Sequence, residues 1–228
     1  MQAIILAGGF GTRLRSVLTD VPKPMAPIHN RPFLAYLIDY LISQGVTQIV
    51  LSVHYLAEQI ESYFQASYRD VSIRYAMEDE PLGTGGAIIN SLPLIDSSEP
   101  VFVLNGDTFL KLNYQKMFAL HTLGADLTMS LRRVTDCSRY GEVTTVNNIV
   151  TAFQEQGSAR DGLINAGVYL LNPAIFKNHS LPRQFSFEKD FLFSNIQLLQ
   201  PRAFIVDDYF IDIGVPADYA RAVVDFAI

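Results

Sequence analysis

The sequence predicts an α/β protein with a mostly parallel sheet and a smaller antiparallel part. Three observations predict it. Short aliphatic and β-branched runs recur in the first half, at residues 2–7 (QAIILA), 48–53 (QIVLSV) and 101–105 (VFVLN), as strands buried on both faces require. Helical patterns alternate with these runs, and that alternation specifies parallel pairing. Beyond residue 125 the texture changes to strand-like segments with few helices between them, which suits antiparallel pairing.

Each element follows from its local pattern. The first strand, 2–7, runs into Gly8-Gly9. Residues 32–44 place Leu34, Leu37, Ile38 and Leu41 on one helical face, with Pro32 at the start and Gly45 at the stop. Strand 48–53, helix 56–66, strand 71–76, helix 83–92, strand 101–105 and helix 114–123 continue the alternation. Strands are then expected at 126–131, 142–146, 149–153 and 164–171. Helices at 187–199 and 216–226 close the chain, flanking strand pieces at 203–206 and 209–213. With no repeat, linker or low-complexity tract, the 228 residues read as one continuous domain, within the size a single core can fill.

Composition narrows the function classes. Apolar residues make up 49% and charged residues 18%, the balance of a folded globular protein. Seventeen Lys+Arg against 23 Asp+Glu give a net charge of -6, which argues against a generic grip on nucleic acid. Cys137 is the only cysteine, so an intrachain disulfide and a cysteine zinc cage are excluded, in keeping with a reducing cytoplasm. Cys137 lies in a polar stretch, DCSRYG, and reads as an incidental thiol. His29, His54, His121 and His179 lack metal-ligand spacing. No apolar run reaches the ~18 residues of a membrane span, and residues 1–7 lack the basic start of a signal peptide. The 15 Phe and 11 Tyr read as core.

The informative segment is the connection after the first strand, GGFGTRLRSVLTDVPKPMAPIHN. Irregular connections of this length in compact domains are usually functional. Gly8, Gly9 and Gly11 permit close backbone approach, so peptide N–H groups can point at an anion. Arg13, Arg15 and Lys23 add three cations against Asp20, making a phosphate cradle on an otherwise acidic chain. Pro22, Pro24 and Pro27 hold Lys23 on a stiff support. A dinucleotide fingerprint would need glycine where Leu14 stands, and a P-loop would need a GKS or GKT triplet that the chain lacks.

GGFGTRL followed by VPKPM resembles the signature of the sugar-1-phosphate nucleotidylyltransferases. The resemblance continues through EDEPLGTGGA, LNGD, RYG, INAGVYLL and DDYFIDIGVP, spans nearly the whole chain, and is greatest to the D-glycero-D-manno-heptose 1-phosphate guanylyltransferases. It implies a Rossmann-like nucleotide-binding sheet (residues 1–125 mainly) with an added sugar-binding antiparallel part (126–228 mainly). It also implies a cytoplasmic enzyme that joins a nucleoside triphosphate, GTP in this reading, to a sugar 1-phosphate, releasing pyrophosphate, with no nucleic-acid or membrane partner. A homo-oligomer is left open. The surface polysaccharide, lipopolysaccharide or glycoprotein that would consume the GDP-heptose is not specified.

The implied roles follow residue by residue. Leu6, Ala7, Gly8, Gly9, Gly11, Thr12 and Arg13 would hold the nucleotide's phosphates, with Glu78, Gly83 and Thr84 on the base side. Arg13, Lys23 and Asp107 would be catalytic, Lys23 bridging the α-phosphate and the incoming sugar phosphate. Asp107 and Asp212 each follow an apolar strand and would hold Mg²⁺. Glu78 is also read from its chemistry: an ionised carboxylate only accepts, and guanine presents N1–H and N2–H₂ as adjacent donors. Gly106, Tyr140, Gly141, Glu155, Asn165 and Gly167 would form the sugar side. Many relatives carry Glu-Lys where this chain has Glu155-Gln156, which shifts the sugar-phosphate contact to Arg139 or another cation. Three alternatives accompany this reading: a mannose 1-phosphate guanylyltransferase, an amino-sugar uridylyltransferase, and a nucleotide-sugar-binding regulatory subunit without catalysis. An acetyl-transferring extension is not expected, because the sequence stops soon after residue 226.

Overall fold

The computed structural model describes residues 1–228 except 15–17, 19, 97, 155, 156 and 228. In chain order the strands are β1 (Gln2–Leu6), β2 (Pro27–Ile28), β3 (Arg31–Pro32), β4 (Gln48–Val53), β5 (Ser67–Tyr68), β6 (Val71–Met77) and β7 (Val101–Asn105). They continue with β8 (Thr108–Leu110), β9 (Leu127–Val134), β10 (Glu142–Val146), β11 (Ile149–Gln154), β12 (Gly162–Leu171), β13 (Arg202–Val206) and β14 (Phe210–Asp212). The α-helices are α1 (Phe33–Ser43), α2 (Ala57–Phe64), α3 (Gly83–Ser91), α4 (Tyr114–His121), α5 (Phe193–Leu199) and α6 (Pro216–Asp225).

Ten strands form one mixed sheet in the order β10-β11-β13-β9-β12-β7-β1-β4-β6-β5. β7, β1, β4 and β6 are parallel neighbours. β12 then joins β7 and β9 antiparallel, and β10 pairs antiparallel with β11 and β12. The antiparallel strands therefore extend the parallel sheet, with β12 bonded directly to β7. β8 and β14 pair apart from this sheet, with Asp212 opposite Thr108.

The central strands lack polar alternation because both faces are covered. Ile4, Val50, Val101 and Val103 face one core; Ala3, Ile5, Ile49, Leu51, Phe102 and Leu104 face the other. α1 buries Leu34, Leu37, Ile38 and Leu41, the face its periodicity predicts, each side chain contributing about 1.5–3 kcal/mol on burial. α1, α2, α4 and α6 contribute to the second of these cores, and α3 and α5 to the first. No helix among the described residues is long and apolar enough to cross a membrane.

Two departures from the sequence reading lie beside the site. The helix expected over 187–199 begins as a π-helix, Phe187–Leu192, before α5. That turn buries Phe187, Phe191 and Leu192 together, a long-range packing demand that local periodicity does not reveal. The strand expected over 164–171 starts at Gly162, and its register against β9 shifts between Asn165 and Tyr169. Gly167 sits inside this bulge at φ +70°.

At the end of α4, His121 is buried, its Nδ1 2.9 Å from Thr128 Oγ1 and its Nε2 3.2 Å from Asn172 Oδ1. Burial is the main cause that lowers its pKa, opposed by the Asn172 bond and the nearby Asp126. Below about pH 6.5 the unfolded chain therefore takes up a proton here that the folded protein resists. This increment to stability is full above that pH and is lost as pH falls through the folded-state pKa. Urea midpoints measured from pH ~7.5 downward through pH ~6.5 should fall more steeply for the wild type than for His121→Gln, and equal slopes would refute the assignment.

Candidate active site

The carboxyl ends of β1, β6 and β7 open into a cleft of ≈ 410 Å³, adjoined by a cavity of ≈ 180 Å³ that shares Leu6, Gly9, Arg13 and Asp107. Position and size are those of a small-molecule site in an α/β sheet. Leu6, Gly8, Gly9, Arg13, Glu78, Gly83, Thr84, Asp107 and Asp212 line the cleft; Gly11 and Lys23 line the adjoining cavity. Ala7 is buried beneath, with its N–H donated to the Ser52 carbonyl at 2.8 Å. Thr12 opens the short 3₁₀ turn Thr12–Leu14, which presents Arg13 to both spaces. The side chain of Thr12 lies outside the described residues, as do Arg15, Glu155 and Gln156.

Lys23 is the centre of the arrangement. A 3₁₀ turn, Lys23–Met25, starts after an extended Pro22 and is closed by Met25 N–H donating to Pro22 O at 2.8 Å. The lysine is 9% exposed. Its ammonium pairs with Asp107 Oδ2 and lies 3.5 Å from Asp212 Oδ1. Gly11, at φ +58°, passes against it so closely that a Cβ there would lie 2.8 Å from Lys23 Cβ, so any side chain would displace the lysine.

The two aspartates meet through the β8–β14 pair: Ile213 N–H donates to Asp107 O at 3.0 Å. Thr108 Oγ1 donates to Asp107 Oδ1 at 3.2 Å, and Gly214 N–H to Asp212 Oδ1 at 2.7 Å. Burial, then the neighbouring Asp107 charge, push the Asp212 carboxyl above its ordinary pKa; Lys23, the Gly214 N–H and Arg13 oppose them. Two carboxylates this close attract a cation. Among the described residues no cluster of three or more His, Cys, Asp or Glu side chains gathers. A metal here would take two carboxylates from the protein and complete its shell with water and ligand oxygens, a donor set that fits a hard dication such as Mg²⁺.

Glu78 lines the cleft, yet both its oxygens brace the protein: Ser52 Oγ donates to Oε1 at 2.8 Å and Leu82 N–H to Oε2 at 3.0 Å. Thr84 is likewise engaged, donating to Glu188 Oε2 at 2.7 Å and accepting from Phe187 N–H at 2.8 Å. Gly106 packs under β1, its N–H donating to Leu6 O at 2.9 Å. Gly167 lies beside the Asn105 amide, which itself lines the cleft. Tyr140, Gly141 and Asn165 line neither cavity. Tyr140 packs on Phe210 of β14, with ring centroids 5.9 Å apart, and Gly141 lies against Phe153. Arg139 Nη2 is held 2.5 Å from Asp218 Oδ2. Cys137 is buried in the same loop, and burial raises its thiol pKa, which disfavours a nucleophilic thiolate.

Ala87, the end of the 82–87 loop that the resemblance assigns to the base, also lines the cleft, whereas sequence reasoning missed Phe10, Pro81, Asn105 and Thr108, which line it too. Asn105 stood within the LNGD block beside Asp107, a visible signal. Phe10 stood between two glycines with no pattern to distinguish it from a turn residue, and here it meets His54 edge-on at 5.5 Å.

A glycine-lined cleft at the strand ends of an α/β sheet, with two cations facing two carboxylates, is the architecture of an enzyme that handles phosphates. The chain belongs to the nucleotidyl transferase family, whose model matches residues 2–227. It is 49% identical to the D-glycero-α-D-manno-heptose 1-phosphate guanylyltransferase of Aneurinibacillus thermoaerophilus, over 97% of this chain and 96% of that protein. It is 46% identical to the protein of the same name from Campylobacter jejuni, over 96% and 97% of the two chains. The crystal structure of HddC from Yersinia pseudotuberculosis, complexed with GMP-PN, superposes with a TM-score of 0.86 at 41% identity, covering 99% of both chains.

Because the Glu78 carboxylate accepts from both the Ser52 hydroxyl and the Leu82 N–H, Glu78→Gln would leave one of them facing an amide N–H₂. We expect a loss of about 1 kcal/mol and a melting temperature lower by ~2–4 °C in calorimetry. An unchanged melting temperature would show that these two bonds do not brace the cleft.

Proposed function

We propose that this enzyme transfers the guanylyl group of GTP to D-glycero-α-D-manno-heptose 1-phosphate, giving the GDP-sugar and pyrophosphate, in the cytoplasm. The observation that carries the reaction class is Lys23 seated between Asp107 and Asp212 at the edge of a glycine-lined cleft. The choice of sugar and base rests on the two near-full-length relatives at 49% and 46% identity. A Schizosaccharomyces pombe mannose-1-phosphate guanyltransferase is 34% identical and is spanned over only 62% of its length.

The difficulty of the reaction is charge. Two unit charges 4 Å apart interact by ~4 kcal/mol at an effective dielectric of 20, so a phosphate dianion and a triphosphate cannot approach unaided. Arg13 and Lys23 against Asp107 and Asp212 sum to zero, so the side chains alone do not offset that repulsion. Mg²⁺ held by the two aspartates would add two positive charges where phosphate oxygens gather. Arg13 lies on the distal phosphates and Lys23 between the α-phosphate and the sugar phosphate. Backbone N–H groups of Gly8, Gly9, Gly11 and Thr12 cradle the triphosphate beside Leu6 and Ala7, as residues 1–125 form most of the nucleotide side. The nucleophile needs no base, because a phosphate monoester with a second pKa of ~6 is already largely dianionic at pH 7. Its oxygen forms a bond to the α-phosphorus as the α–β bridging bond breaks, and pyrophosphate leaves with that electron pair.

Glu78 keeps a second lone pair on each oxygen, and these accept from guanine N1–H and N2–H₂, with Gly83 and Thr84 beside the base. Gly106, Tyr140, Gly141, Glu155, Asn165 and Gly167 are assigned to the sugar side, and Arg139 or another cation to the sugar phosphate, in place of the charge that Gln156 does not carry.

Pyrophosphate release is the test, measured for GTP, UTP, dTTP and CTP against heptose and mannose 1-phosphates, with and without Mg²⁺. Turnover should be greatest with GTP and the heptose phosphate, should require the metal, and should lose base preference in Glu78→Gln. Lys23→Met should lower kcat by about 10²–10³-fold. Binding of both substrates without pyrophosphate release would favour a regulatory subunit, and full activity in Lys23→Met would remove the central residue of the mechanism.

A further inference from the structure

Beneath the cleft a chain of hydrogen bonds links the two sides of the site, and every member of it has one assigned direction. Gly167 N–H donates to Asn165 Oδ1 at 3.1 Å, Asn165 Nδ2 donates to the Tyr169 hydroxyl at 2.6 Å, and that hydroxyl donates to Glu188 Oε1 at 3.2 Å. From the other side Phe187 N–H donates to Thr84 Oγ1, which donates to Glu188 Oε2 at 2.7 Å; Ser186 Oγ reaches the same oxygen at 3.2 Å. A hydroxyl has one hydrogen and a carboxylate has none, so both branches must terminate on Glu188. Tyr169 is 1% exposed, and burial, then the Glu188 charge, hold its phenol well above the ordinary pKa, keeping its proton.

Two backbone irregularities meet at this chain. Glu188 lies in the π-helix Phe187–Leu192, and Asn165 lies at the register shift of β12. Both kinds of irregularity recur at functional sites because they re-aim side chains. Glu188 itself lines neither cavity, whereas Thr84 lines the cleft.

We infer that Glu188 is a positioning residue: as the common acceptor of Thr84 and Tyr169 it orders the base side and the sugar side of the cleft together, and it decides which end of the Asn165 amide faces Tyr169. This rests on the substrate assignment proposed above for Thr84 and Asn165.

Glu188→Gln separates this role from mere packing, because the shape is kept while one oxygen becomes a donor. Facing Thr84 and Ser186, the new N–H₂ would oppose two donors; facing Tyr169, it opposes one. The amide should therefore turn to Tyr169, whose hydroxyl then donates to Asn165 and reverses its amide. We expect the sugar-phosphate KM to rise about 5- to 10-fold, the scale of one hydrogen bond, with the GTP KM changed by less than about 2-fold on the same scale. Tyr169→Phe should reproduce that pattern, and Thr84→Val should raise the GTP KM instead. The Asn165 side-chain amide resonances, assigned through Asn165→Asp, should shift in Glu188→Gln. Equal changes in both KM values, or no change in either, would overturn the inference, as would unmoved Asn165 resonances. If the wild type releases no pyrophosphate from GTP and heptose 1-phosphate, the substrate assignment fails, and the Asn165 resonances alone still decide the relay.

Discussion

A lysine ammonium lodged between two carboxylates is the constraint around which the site is built. A buried charge left alone costs several kcal/mol, so Lys23, Asp107 and Asp212 hold one another in place or not at all. They come from the loop after β1, the end of β7 and the end of β14. Bringing those segments together requires β1 beside β7 in the sheet and the separate β8–β14 pair beside them. The tight passage of Gly11 against Lys23 folds the loop after β1 back on itself at the same point. The ion cluster is thus a folding constraint as well as part of the candidate active site.

The same cluster explains why the cleft suits anionic ligands although the protein is acidic. Arg13 and Lys23 stand against Asp107, Asp212 and Glu78 in the lining of the two cavities, so the side chains alone leave one negative charge, and a dication on the aspartates would turn the balance positive. Because β12 is bonded directly to β7, the proposed sugar side is carried by the same sheet as the nucleotide side. Distances between the two are therefore set by strand spacing and by the polar chain through Glu188.

Much of this was legible along the chain. The strands at 101–105 and 142–146 were read to the residue, because an unbroken apolar run, or a short β-branched run bounded by turn residues, leaves little choice. The glycines and Arg13 of the first loop, which line the two cavities, were visible as a cationic, glycine-rich interruption. Lys23 stood out by its flanking prolines. The commitments of Glu78 to Ser52 and of Thr84 to Glu188 were not visible, since each joins residues far apart in sequence, whose separation carries no pattern. Glu188 itself looked like one more polar position on a helix, and the π turn that aims it arises from the packing of Phe187, Phe191 and Leu192.

The sequence by itself determined the alternation of elements, the two-faced burial of the central strands and the chemistry of the first loop. Those properties reside in periodicity and residue type, which are local. Only the tertiary structure decided that Lys23 is clasped by two aspartates, that Glu78 braces the cleft wall, and that Glu188 accepts from both Thr84 and Tyr169. Each of these is a pairing of charges or hydrogen-bonding groups across the fold, and such partners are chosen by three-dimensional proximity under the penalty for leaving a buried polar group unmatched.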